Sequence, residues 1–446
     1  MISYDGLTGT IVTPENPSYE EARLMWNRAI NKFPGVIVFC ETIGDVSNAI
    51  IWARHNCVPF RMRNGRHNYE GYSTGDGVLV IDVSHLVDLD MDGRYVAAQG
   101  GVNNSMIYNL TAPEGYPFPG GSCPTVGVAG YAMGGGSGPM SRLLGLGCDS
   151  LEAVELIDAN GHLITASREK NNDLFWALQG AGDGNFGVAV RTIFRLPKKV
   201  DRVTLVLLYY PNTDAFAQIR FISTWQKWLR HSDDRITLQA PVYHDQAEGY
   251  AVYARGIYFG SRQQAEQAVE QLTELPGCEA SFQEMTIYEA IKTIEDTIPE
   301  SEKFRSSGRF IGRPLEKDEI GKLMEKMRDY PLGSVFSGLT LYALGGQVAR
   351  IAPCATAFFY RCAPYIVGLQ SIWTEDKYAK SNTEWVQSRL AYMNKVTDGS
   401  YVNFPNSDLV NFECEYWGGN VTSLHRVKQK YDPCNVFRFP QSIRRI

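Results

Sequence analysis

Residues 120–147 read GGSCPTVGVAGYAMGGGSGPMSRLLGLG, with glycine at ten of 28 positions. Ordering that much glycine costs backbone entropy. A chain accepts the cost where it must turn through positive φ or bring consecutive N–H groups against something flat or anionic. The step Ser122-Cys123-Pro124-Thr125-Val126 and the apolar residues among the glycines mark a packed segment, not a flexible linker. A large cofactor is the expected occupant.

On the N-terminal side, GVIVFC at 35–40 reads as a buried strand, 42–56 carries apolar residues at helical spacing, and Val58-Pro59-Phe60 opens a second strand. GVLVIDV at 77–83 is a further strand. The runs 151–157 and 162–166 flank Asn160-Gly161 and read as a hairpin. A short helix is expected at 172–179, then a strand at 187–196. Between them, Gly182-Asp183-Gly184-Asn185-Phe186-Gly187 matches GxGxxG in the wrong context: a dinucleotide fingerprint needs a strand before it and a helix after it. A nicotinamide-type Rossmann domain is therefore disfavoured.

Beyond Pro197 glycine thins out. Strands are expected at 203–210 and across 235–259, helices at 213–230, 262–274 and 315–328, then strands at 335–351 and 355–369 and a helix at 375–396. This reads as an antiparallel sheet backed by helices, so the fold class is α+β with two domains. The length of 446 residues agrees. A net charge of −6 gives no global field toward nucleic acid or an anionic membrane, and neither is an expected partner. No basic leader precedes an apolar run and no apolar stretch approaches a membrane span, so a cytoplasmic location is expected. Nine widely spaced cysteines without a CxxC pair suggest neither a disulfide framework nor zinc, and no HxH or HExxH points to a metal.

FRMRNGRHNYEG at 60–71 places three arginines within six residues beside a glycine, directly after an expected strand. Backbone donors around Gly65 with cationic side chains suit a diphosphate. A solvated basic turn has the same composition, and His67 by itself carries no catalytic signal.

Five segments occur in a telling order: RNGRHNYEG (63–71), GGSCPTVGVAGYAMGGG (120–136), DLFWALQGAGDGNFGV (173–188), YVNFPN (401–406) and VKQKYDPCNVFRFPQSI (427–443). With them the chain resembles the berberine-bridge-enzyme-like FAD-linked oxidases of the vanillyl-alcohol-oxidase, PCMH-type superfamily. The resemblance implies FAD held covalently at two points, His67 to the 8α-methyl carbon and Cys123 to ring carbon C6. It implies that Arg63, Asn64, Gly65, Arg66 and Asn68 form the diphosphate loop. Val126, Gly127, Val128, Gly130, Tyr131, Gly134, Gly135, Asn185, Gly187 and Val190 would line the cofactor, with Asn435 hydrogen-bonding nearby. It also implies an FAD-binding domain of residues 1–195 completed by 397–446, around a substrate domain of 196–396.

Three departures stand out. Arg66 occupies a common glycine position, Tyr131 a position near the flavin N1–C2=O edge where histidine is more frequent, and Tyr360 a substrate-facing histidine position. Hydride transfer needs a base for the substrate proton; Tyr401 and Asn403 are the first candidates, with Tyr69 second, and Glu413 and Glu415 are carboxylate alternatives. In the resembled family a valine at the place of Val126 leaves room for dioxygen, so the resemblance implies an oxidase that releases hydrogen peroxide while oxidising a small alcohol, a sugar hemiacetal or a secondary metabolite. The alternatives are a dehydrogenase with another electron acceptor and a flavin-carrying structural or coat-associated protein with vestigial activity.

Overall fold

Three sheets carry the chain, each built from a different apolar pattern. The computed structural model describes residues 3–445. Runs with little alternation, Val36–Phe39 and Leu79–Asp82, form the middle of a four-stranded sheet ordered Thr10–Val12, Val36–Phe39, Leu79–Asp82, Phe60–Arg63. Its last three strands are parallel, as strands buried on both faces tend to be. The helix Ile43–His55 makes the crossover. Thr42 starts it with a reciprocal cap: its hydroxyl accepts from the Asp45 amide, and its own amide donates to the Asp45 carboxylate.

The second sheet has five antiparallel strands, ordered Leu89–Asp92, Tyr95–Gln99, Val188–Arg195, Leu151–Ile157, Leu163–Ser167. GDGNFG lies between the helix Asn172–Leu178 and the strand Val188–Arg195, the reverse of a dinucleotide motif.

The third sheet has eight antiparallel strands, ordered Glu279–Met285, Val203–Tyr210, Gly249–Tyr258, Ile236–Asp245, Ser334–Ala343, Tyr365–Trp373, Lys303–Ile311, Gly399–Ser400. Alternation divides its faces. Leu238, Ala240, Val252, Ala254, Leu339, Leu341, Val367 and Leu369 pack under the helices Ala215–His231, Lys317–Met327 and Ala379–Met393, with Trp225, Trp228 and Trp385 filling the layer. The odd partners Gln239, Pro241, Tyr253 and Arg255, and the even ones Thr340, Tyr342, Gln370 and Ile372, turn to a cavity on the other face.

Several element bounds differ from the sequence reading. The strand expected at 335–351 stops at Ala343, because Gly345 and Gly346 adopt positive φ. The one expected at 355–369 begins at Tyr365; before it lies a loop pinned by buried Arg361, which pairs with Asp149 at 2.7 Å. The helix expected at 262–274 breaks at Val269, and that at 375–396 shortens to Ala379–Met393. The helix Ile287–Glu295, opened by a Thr286/Glu289 cap, and the strand Lys303–Ile311 were not foreseen. No helix among the described residues is long and apolar enough to cross a membrane.

Candidate active site

A cavity of about 770 Å³ runs between the cofactor-motif loops of the N-terminal half and the open face of the large sheet. One wall is the arginine loop. Arg63 ends the strand Phe60–Arg63, and its guanidinium turns inward: Nε donates to Asp82 at 2.6 Å and Nη2 to the Ala22 carbonyl at 2.8 Å, with both charged side chains fully buried. Arg66, at φ 64°, sends its guanidinium over Phe39 and to 3.8 Å from Asp82. Arg63 is thus committed to Asp82, whereas Arg66 stays partly exposed and lines the cavity. Arg61, the first of the three arginines, donates to the Arg438 carbonyl at 2.8 Å; both residues line the cavity.

The rest of the loop positions its neighbours. Asn64 donates to the Gly100 carbonyl, and Asn68 accepts from the amides of Glu70 and Tyr72 at 3.1 and 2.9 Å, a tight turn that presents His67 and Tyr69. Gly65 permits a close crossing: a Cβ there would stand 2.5 Å from both the Gly127 nitrogen and the Thr125 oxygen. This crossing brings His67 beside Cys123. Their Nε2 and Sγ lie 3.8 Å apart, and Thr125 Oγ1 holds the imidazole at 2.7 Å. Trp26 stacks on the imidazole at 5.1 Å. Burial pushes His67 down to about 4, so the ring is neutral with a free lone pair at neutral pH. Burial raises the Cys123 thiol, opposed by hydrogen bonds from Thr125 and Val126.

Aromatic side chains form the deeper wall. Tyr69 stacks on Phe404 at 5.2 Å and meets Phe304 edge-on at 4.9 Å. Tyr342 lies on the other side of Phe404 at 5.5 Å. Asn403 also reaches the cavity, and its Nδ2 donates to the Tyr131 carbonyl and the Tyr401 hydroxyl.

Tyr401 itself is behind the wall. Its hydroxyl accepts from the Gly136 and Ser137 amides at 3.0 and 3.1 Å, fixing the glycine turn, and burial pushes it up to about 12. That corrects its reading as the base. Tyr131 lines the cavity but gives its hydroxyl to the Pro119 carbonyl at 3.3 Å. Tyr360 is also corrected: it stacks on Phe310 at 4.5 Å and donates to the Cys414 carbonyl, off the cavity, because its loop precedes the strand whose Gln370 and Ile372 do reach it. Glu413 and Glu415 are engaged elsewhere, with His425 and Arg309.

Of the remaining expected cofactor residues, Val126, Gly127, Gly130 and Asn185 are on the wall. Val128, Gly134, Gly135, Gly187 and Val190 stand one layer back. Gly135, at φ 110°, lets Phe358 pack against the turn. Asn435 adopts φ 51° after the helix Val421–Tyr431 and lines a neighbouring surface cleft, with its Oδ1 buried and without a partner among the described residues. Sequence reasoning missed Asp183 and Glu302, cavity carboxyls that burial raises to about 6, and the sheet residues Arg255, Tyr342 and Gln370. Sheet alternation was the available signal for the last three.

A glycine crossing too tight for any side chain, two nucleophiles 3.8 Å apart and Arg61 and Arg438 side by side on one long cavity fit FAD, and the scaffold with this site defines an FAD-dependent oxidoreductase. The family model described as an FAD binding domain matches residues 34–167, and the berberine and berberine-like model matches 400–444. The FAD-linked oxidoreductase YgaK of Bacillus subtilis is 34% identical, over 98% of this chain and 97% of its own. Among solved structures, Physcomitrella patens BBE-like 1 is 26% identical with a TM-score of 0.89, covering 98% and 96% of the two chains. The Acremonium strictum glucooligosaccharide oxidase, with its 6-S-cysteinyl, 8α-N1-histidyl FAD, shares the fold at 19% identity and a TM-score of 0.89 over 98% and 97%. The chain belongs to the berberine-bridge-enzyme-like FAD-linked oxidases.

Proposed function

We propose that this enzyme holds FAD through His67 and Cys123 and oxidises a small hydroxyl compound, an alcohol, sugar hemiacetal or secondary metabolite, with dioxygen as acceptor and hydrogen peroxide as product. The observation that carries this reading is the 3.8 Å approach of His67 Nε2 to Cys123 Sγ on the cavity wall. Bound FAD supplies a hydride acceptor. The neutral imidazole is ready to act as a nucleophile, and Thr125 fixes its direction. Arg61 and Arg438, both on the cavity wall, would face the diphosphate. The division into an FAD-binding part, 1–195 with 397–446, and a substrate part, 196–396, follows the same reading.

The substrate carbon loses a hydride and its hydroxyl a proton. Tyr69 takes the role first given to Tyr401, since its hydroxyl reaches the cavity among apolar rings, with Tyr342 as its neighbour across Phe404. Two electrons and two protons then leave as hydrogen peroxide on reaction with dioxygen, for which Val126 leaves space.

Acid precipitation followed by mass spectrometry of tryptic peptides tests the attachment. Flavin mass is expected on the peptides of both His67 and Cys123, and each single Ala variant should keep one bond. A pellet without colour and with both peptides unmodified would refute it. A screen of alcohols and sugars for peroxide release tests the oxidase half.

A further inference from the structure

Among the described residues, five buried or nearly buried guanidiniums are matched with carboxylates. Arg63 meets Asp82, Arg142 Asp234, Arg305 Glu70, Arg309 Glu415 and Arg361 Asp149, all within 3.1 Å. Arg255, partly buried on the cavity wall, has no carboxylate within ion-pair distance among the described residues, and burial lowers its pKa. A desolvated cation left unmatched is costly unless a ligand completes it.

The geometry around Arg255 is that of a built site. It stands on the cavity face of the strand Gly249–Tyr258, two residues from Tyr253, which lines the same cavity. In the sheet register Gln239 lies directly opposite Arg255 on one side and opposite Tyr342 on the other, so a cation, an amide and a phenol form one cross-strand row. Arg255 Nη1 donates to Thr297 Oγ1 at 2.7 Å, and Thr297 in turn donates to the Ile294 carbonyl at 2.8 Å. That clamp fixes the guanidinium plane through one nitrogen and leaves the Nε and Nη2 donors without a protein partner among the described residues. A free edge of a fixed guanidinium matches a carboxylate in two parallel hydrogen bonds. Glu302, a carboxyl on the same cavity, makes no ion pair with Arg255 among the described residues.

We infer that Arg255, steadied by Thr297 and flanked by Gln239, binds a carboxylate on the substrate, so that the compound oxidised is an acid bearing the reacting hydroxyl, such as a sugar acid or a hydroxy acid. The inference rests on the oxidase reading and narrows its substrate class. An amide in place of the carboxylate keeps shape and hydrogen bonding while removing the charge, which makes acid and amide pairs the right probes.

The test is calorimetric titration of the FAD-loaded enzyme with three matched pairs: glucuronate and glucuronamide, mandelate and mandelamide, benzoate and benzamide. The tightest ligand is expected to be an acid, at least about tenfold tighter than its amide, with the preference shrinking as salt rises. In Arg255→Gln that preference disappears, and in Arg255→Lys a weaker one returns, with unchanged FAD content and unfolding temperature showing that the variants fold. Acids that bind no tighter than their amides, an absence of acid binding, or a preference that survives in Arg255→Gln would each overturn the assignment. A protein that carries no flavin refutes the oxidase reading instead, and the calorimetric comparison on it still reports on Arg255.

Discussion

Tyr69 and Tyr401 are separated by what surrounds their hydroxyls. Tyr401 accepts from two backbone amides and an asparagine, the hydrogen bonding of a residue that holds a turn, whereas Tyr69 faces the cavity among phenylalanines. Tyr69→Phe is expected to slow flavin reduction by about a hundredfold or more, measured anaerobically by stopped flow. Burial holds Tyr69 well above the ordinary tyrosine value, so its ionised form grows about tenfold per pH unit through neutrality, and the reduction rate should climb without a plateau below about pH 10. A plateau with its midpoint near 6 would hand proton removal to Glu302, raised there by burial. On the proposed oxidase reading, Val126→Leu would fill the space that dioxygen needs beside the flavin. It should slow reoxidation by dioxygen at least about tenfold, equivalent to the roughly 1–3 kcal/mol of an overpacked site, while leaving reduction unchanged. That His67 and Cys123 meet on the cavity wall was foreshadowed only by the resemblance of their two motifs, because nothing in either residue alone marks it. What Arg63, Tyr360 and Tyr401 do could not be read from sequence, because the motif gives their place on the chain and not the direction in which the side chain leaves it.

The strands explain which residues were invisible. Arg255, Tyr342 and Gln370 reach the cavity because period-two alternation sends their neighbours under the helix layer, and that assignment needs the register between strands far apart in sequence. The small parallel sheet is the converse case. Its apolar runs and the helix between them were legible from local pattern alone, but the buried Arg63–Asp82 pair that ties adjacent strands together was not, since 19 residues separate the partners. Asp82 also accepts from the Ser84 amide, so its carboxylate is matched on both sides. Asp82→Asn leaves the Arg63 charge buried without a counter-charge. The expected cost is about 3–5 kcal/mol, measured by urea unfolding, with loosening of the arginine loop visible as faster hydrogen exchange at 63–71.

At the scale of the molecule, the C-terminal segment returns to close the cofactor side, and one lysine does much of the joining. Lys428, on the helix Val421–Tyr431, is wholly buried; its Nζ donates to Asp432 at 2.7 Å, to the Asn185 carbonyl at 2.7 Å and to the Phe437 carbonyl at 2.6 Å. Asn185 belongs to the GDGNFG loop and accepts the Ile443 amide at 2.8 Å, so the loop and the chain end are held together at two points. The order of the motifs along the sequence already implied that the ends of the chain meet, because a fingerprint at 427–443 has little use far from the cofactor. The means of closure was not legible, since a lysine in VKQKYDPCN looks like a solvated helix face. Lys428→Met keeps the volume and removes all three donors, stranding the Asp432 carboxylate. The variant is expected to lose about 3–5 kcal/mol of stability, seen as a lower urea midpoint. Lys428→Met with Asp432→Asn should recover part of that loss, because the second change removes the stranded charge; if the double variant is no more stable than the single one, burial of an unmatched carboxylate is not the cause.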